Sequence, residues 1–155
     1  MFRPYGLAAA CATIVLAAPS AALAAAGDSV TGGGISAVDT RFGFNAHSNA
    51  NGGEPGGYAV FKTVNGTSAA RKGEVTCLRV SGNTAVIGIQ DYTTDGTLVY
   101  RQFFIRDNGD PVGGVAVDEL REIGSGSATP LPCADPAEQG SGLILQQGNI
   151  VIRDA

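Results

Sequence analysis

The chain has no tryptophan, one histidine, one methionine and three cysteines among its 155 residues. These shortages narrow the chemistry. A single histidine, His47, leaves little material for a nucleophile–base pair, and no G-x-S-x-G sequence presents a serine on a strained elbow. The side chain that usually stacks on sugars is missing. Charged residues make up only 15% of the chain, the formal net charge is −4, and lysine and arginine nowhere cluster. An acidic chain without a basic patch argues against nucleic acid and anionic membranes as partners. No apolar run reaches the roughly 20 residues a membrane-spanning helix needs. Sustained i, i+3, i+4, i+7 apolar spacing is also missing beyond the N-terminal region, so amphipathic helices are not expected.

The N-terminal region reads as an export signal. Arg3 supplies the positive charge, Gly6 to Ala18 the short apolar run, and Ala22-Leu23-Ala24 the small-residue cleavage site. This predicts a signal peptide over 1–24 and one secreted domain over 25–155, with cleavage after Ala26 as the close second choice. An anchored lipoprotein is the competing reading, since Ala8-Ala9-Ala10-Cys11 loosely resembles a lipobox. Too little apolar sequence precedes Cys11 to favour it. Loss of Arg3 takes the formal net charge from −4 to −5. Two cysteines then remain, Cys77 and Cys133, and an oxidising destination predicts that they pair. Zinc is the alternative, but two isolated cysteines with no nearby histidine make a poor site. No metal and no cofactor are expected.

Short alternating runs separated by Gly, Asn, Asp and Pro fill the rest of the chain, and its 23 glycines follow no G-x-y period. The pattern predicts an all-β fold, a single antiparallel β-sandwich or small β-barrel of about 7–9 strands with one disulfide. The chain is organised around Glu74 to Ile89, a hairpin turning at Gly82-Asn83, a pair suited to the positive φ angles of a two-residue turn. That turn sets Ser81 against Thr84, Val80 against Ala85, Leu78 against Ile87 and Thr76 against Ile89. It also sets Cys77 against Gly88, whose missing side chain leaves room for an arriving disulfide. Val38 to His47 alternates, with Val38, Thr40, Phe42, Phe44 and Ala46 facing a core. Tyr58 to Val64, Leu98 to Arg106 and Val115 to Ile123 read as further strands. Both faces of Leu98 to Arg106 are mixed, and its inward face is not readable. Gly124 to Gly142 reads as an irregular loop carrying Cys133. Leu143 to Gln147 and Asn149 to Arg153 read as one bent strand or a tight hairpin.

Several of these segments, Val75-Thr76-Cys77-Leu78, Val80-Ser81-Gly82-Asn83-Thr84-Ala85, Asp107-Asn108-Gly109-Asp110-Pro111 and Gly148-Asn149-Ile150-Val151-Ile152, resemble a group of small secreted bacterial all-β proteins of uncharacterised function. Phe42-Gly43-Phe44-Asn45-Ala46 resembles their first strand. The resemblance covers most of the mature chain and implies a secreted β-domain. It carries over no catalytic residues. The chain departs from the pattern at Asp118 to Glu122, which is more charged.

Three groups of residues invite a chemical reading, each beside a plainer one. His47 falls on the polar side of its strand, beside the loop Ser48 to Gly57, and reads as a strand-end residue. Asp107, Asp110, Asp91 and Asp95 could offer oxygens to calcium, but Asp107-Asn108-Gly109-Asp110 lacks EF-hand spacing, and Asx residues start turns unaided. Asp118, Glu119 and Glu122 could supply paired carboxylates for glycoside hydrolysis, though nothing in the sequence defines a cleft. Asn65-Gly66-Thr67 matches a glycosylation sequon that a turn explains equally well. The leading expectation is a structural or interaction module at the cell surface or outside the cell, without catalysis. The alternative is an extracellular small-ligand binder whose barrel is lined by Phe42, Phe44, Phe103 and Phe104. A secreted hydrolase comes third. A protein or a small apolar molecule is the partner to expect, and an interior cavity above roughly 300 Å³ would favour the small ligand.

Overall fold

The computed structural model describes residues 27–49, 53–67 and 69–155. The expected signal peptide over 1–24 lies outside them. The described chain is all-β, nine strands in one antiparallel sheet. They are β1 (Ser29–Ile35), β2 (Thr40–His47), β3 (Gly56–Thr63), β4 (Arg71–Ser81), β5 (Thr84–Tyr92), β6 (Leu98–Arg106), β7 (Glu119–Ser127), β8 (Leu143–Ile144) and β9 (Gln147–Arg153), with one 3-10 turn at Pro136–Glu138. Their order across the sheet is β8-β7-β6-β5-β4-β3-β2-β1-β9. Its two outermost strands, β8 and β9, are separated in sequence only by Leu145 and Gln146. One bent segment therefore joins both edges and gives the sheet its barrel-like curl. Leu145 N–H donates to Asp118 O on one side, and Gln146 N–H donates to Ile35 O on the other, each at 2.9 Å.

The central hairpin forms in the register its turn dictates from Ser81↔Thr84 through Cys77↔Gly88. The expected Thr76↔Ile89 pair does not form. A bulge at Thr76 advances the strand by one residue, Val75 meets Ile89 instead, and Val75 becomes a core side chain. The inward face carries Phe42 and Phe44 as expected, together with Leu78 and Ile87 of the hairpin, while Val80 is only partly buried. Val38 was expected in the same core and is 70% exposed, because the strand begins at Thr40 and Val38 sits in the preceding turn.

Two strands differ from the sequence reading. β1 was not anticipated, since Gly32-Gly33-Gly34 offers no side-chain alternation. β7 begins at Glu119 rather than Val115 and runs on to Ser127. The charged stretch Asp118 to Glu122 thus opens the strand, and Val112 and Val115 form an isolated bridge within the preceding loop.

A second apolar layer lies on the outside of the sheet. Gln102 and Phe104 of β6 point outward and are buried there, together with Val86 and Pro136. The 128–142 segment covers them. Its anchors are the Cys77–Cys133 disulfide, with Cα atoms 5.7 Å apart, a Gln102 side chain donating to Pro132 O at 2.6 Å, and an Arg79–Asp135 ion pair at 2.6 Å. A Cβ at Gly88 would lie 2.7 Å from the Cys77 sulfur, so the disulfide needs glycine opposite it.

A charged mouth over an aromatic floor

One end of the curled sheet is open. β8 pairs with Glu119 and Leu120 alone, and beyond them β7 is bonded on one side only among the described residues. Between β7 and the β1–β2 turn lies a cavity of about 340 Å³. Cross-strand register builds its floor. Phe42 faces Phe61, Phe61 faces Arg71, and Phe103 lies between Ile87 and Glu122. The Phe61 and Phe103 rings stack with centroids 4.8 Å apart. Phe44 sits behind the floor and touches all three rings at 5.3–6.0 Å. Val38 and Leu143, both exposed, form the lip.

Above the floor the inward-facing positions turn ionic. Ala85, Ile87 and Ile89 alternate inward along β5, and the next position in that series is Asp91, whose side chain is 1% exposed. Its Oδ1 accepts Tyr92 N–H at 2.7 Å. Its Oδ2 lies 3.3 Å from Arg71 Nη1 and 3.7 Å from Arg101 Nε. Arg101 Nη1 donates to Glu122 at 2.9 Å. Neither Asp91 Oδ2 nor Arg101 Nε has a hydrogen-bond partner among the described residues, so this ion pair is held slightly stretched. The buried Asp91 carboxylate is thus flanked by two guanidiniums over the aromatic floor.

The four candidate phenylalanines divide. Phe42 and Phe103 line the cavity, Phe44 stands behind it, and Phe104 does not reach it. Phe104 faces outward because it is adjacent in sequence to the inward Phe103, and it packs under the Arg106 and Arg121 guanidiniums at 5.4 and 5.9 Å. The sequence reading missed Phe61 and the arginines. An acid continuing the apolar series Ala85, Ile87, Ile89 is the available signal, whereas Asp91 reads from sequence only as a calcium ligand.

The other candidates lie elsewhere. His47 is exposed at the far end of β2, its imidazole over Gly56. Asp118 is wholly buried and accepts Asn108 N–H at 2.9 Å and Ile150 N–H at 2.6 Å. Asp107 accepts Gly109 N–H and Ile152 N–H. Glu119 binds Arg106 and Gly142 N–H. The carboxyl of Asp95 is held below its ordinary range, first by the Thr93 hydroxyl and then by Thr97 N–H. Among the described residues no group of three or more His, Cys, Asp or Glu is placed to hold a metal. Nor is any helix there long and apolar enough to cross a membrane.

Comparison with family models, curated proteins and solved structures returns no match to this chain.

Proposed function

We propose that this chain is an exported, non-enzymatic binding domain that takes a small, largely apolar molecule into the open end of its curled sheet. The cavity over Phe42, Phe61 and Phe103 carries this reading. Its volume of about 340 Å³ falls in the range of ligand sites, roughly 300–1,000 Å³, and a core filled by its own side chains would leave no such space. The candidate catalytic acids Asp118, Glu119 and Glu122 are engaged by backbone N–H groups or arginines, which favours the binding reading. Export is supported by Arg3, the apolar run and Ala22-Leu23-Ala24, by a disulfide of the kind that persists in oxidising surroundings, and by the resemblance to secreted bacterial β-proteins. A surface interaction module remains the second reading, favoured by the exposed lip of Val38, Leu143 and Ile144.

Titration with the neutral fluorophore N-phenyl-naphthylamine tests the pocket. Saturable one-to-one enhancement is expected, and Thr40→Trp, which fills the mouth from β2, should abolish it without lowering the melting temperature. Absence of saturable binding would move the reading to the module. Binding undiminished by Thr40→Trp would show that the fluorophore sits elsewhere.

A further inference from the structure

We infer that the ligand carries a carboxylate, and that Arg71, braced by Asp91, is the residue that recognises it. This rests on the pocket reading above and adds the chemical class of the ligand. The inward-facing charges at the mouth come from four strands: Arg71 on β4, Asp91 on β5, Arg101 on β6 and Glu122 on β7. Asp91 is fully buried, while the Glu122 side chain is 40% exposed and screened by water. The four charges balance, but Glu122 is engaged by Arg101 and the Asp91 carboxylate is shared between Arg71 and Arg101.

Arg101 has both acids as partners. Arg71 has only Asp91 among the described residues, and only through Nη1. Its Nε and Nη2 donors remain for something else, and its side chain is 37% exposed beside the cavity. A purely apolar ligand entering here would strip water from these donors and return no acceptor, a costly exchange. A cation would find no free acceptor here, since both carboxylates are already engaged by the guanidiniums. A carboxylate matches the unused fork of Arg71 donors, while the apolar body of the same molecule lies on the Phe42, Phe61 and Phe103 rings. The site thus fits a small monocarboxylate with an alkyl or aromatic tail. Asp91 acts as a positioning residue: it holds Arg71 across the mouth, and Arg71 makes the contact.

Competition against bound N-phenyl-naphthylamine separates the head group from the tail. Decanoate and decanol share a tail and differ in charge. Decanoate is expected to displace the fluorophore at about tenfold lower concentration, the equivalent of about 1.4 kcal/mol. In Arg71→Gln this ratio, measured within the variant, should fall to about twofold or less, and Arg71→Lys should keep part of it. Equal potency of decanoate and decanol on the unmodified protein would overturn the carboxylate inference and leave the pocket standing. An unchanged preference in Arg71→Gln would overturn the role of Arg71. Failure of the fluorophore to bind would remove the pocket and the inference together.

Discussion

At the scale of single residues, the least readable positions are the glycines at the seam where β9 closes on β1. A strand with three consecutive glycines offers no alternation, so its sequence reads as loop. Packing explains it. A Cβ at Gly32 would lie 2.3 Å from Asn149 O, and one at Gly34 would lie 2.1 Å from Gln147 O. Gly148 on the facing strand has φ +119° and would set a Cβ 2.2 Å from Gly33 O. Backbone and backbone meet here with no space between them. Gly82 makes the comparison, since its φ of +58° is left-handed while nothing lies within 4 Å of its Cβ position. Gly82→Ala should cost only the conformational term, about 1–2 kcal/mol. Gly148→Ala adds a collision with main chain and should cost at least about 3 kcal/mol. Urea denaturation of the two variants side by side reads the difference, and equal losses would mean that β9 does not approach β1 so closely.

At the scale of elements, β6 shows why half of the core was legible and half was not. β2 buries one face, so Phe42, Phe44 and Ala46 stand out against Arg41, Asn45 and His47. β6 buries both. Phe103 and Ile105 meet the inner core, and Gln102 and Phe104 meet the 128–142 segment. Alternation disappears when a strand is covered on two sides. The covering segment has no regular pattern of its own beyond a single 3-10 turn, and it owes its place to the disulfide, which closes a separation of 56 residues. The chain-entropy view assigns such a link about 4 kcal/mol. Replacing both cysteines by serine should lower stability by roughly 2–5 kcal/mol. The segment lies on the outer face and the cavity on the inner, so saturable binding of N-phenyl-naphthylamine should survive in the double variant. Denaturation together with fluorophore titration checks this. Loss of binding at full folding would mean that the outer layer shapes the mouth.

At the scale of the whole molecule, the question is what keeps one end shut while the other stays open. β9 hydrogen-bonds to β1 along one edge, and its second edge faces no strand among the described residues. Unpaired strand edges invite association with other chains. Here aspartates occupy the edge. Asp118 accepts the N–H of Ile150, Asp107 that of Ile152, and the Asp118 carboxylate also accepts Asn108 N–H from the β6–β7 loop. The same loop inserts Ala116, almost fully buried, into the core cluster that includes Ile150. The acids of this region, which by sequence invited calcium or hydrolytic readings, thus serve as acceptors for a strand edge. Among the described residues the cavity end has no such device, because β8 stops after two residues and pairs with β7 only at Glu119 and Leu120. Asp118→Asn tests the latch. The amide keeps one oxygen and places an NH₂ against the other donor, so one charge-assisted bond is lost and a buried N–H is orphaned. The cost should be about 2–3 kcal/mol. Hydrogen exchange gives the local reading. The Ile150 amide should exchange much faster relative to that of Ile87, deep in β5, than it does in the unmodified protein. An unchanged ratio, with both amides shifted only by the global loss, would mean that β9 is held by β1 and the core alone.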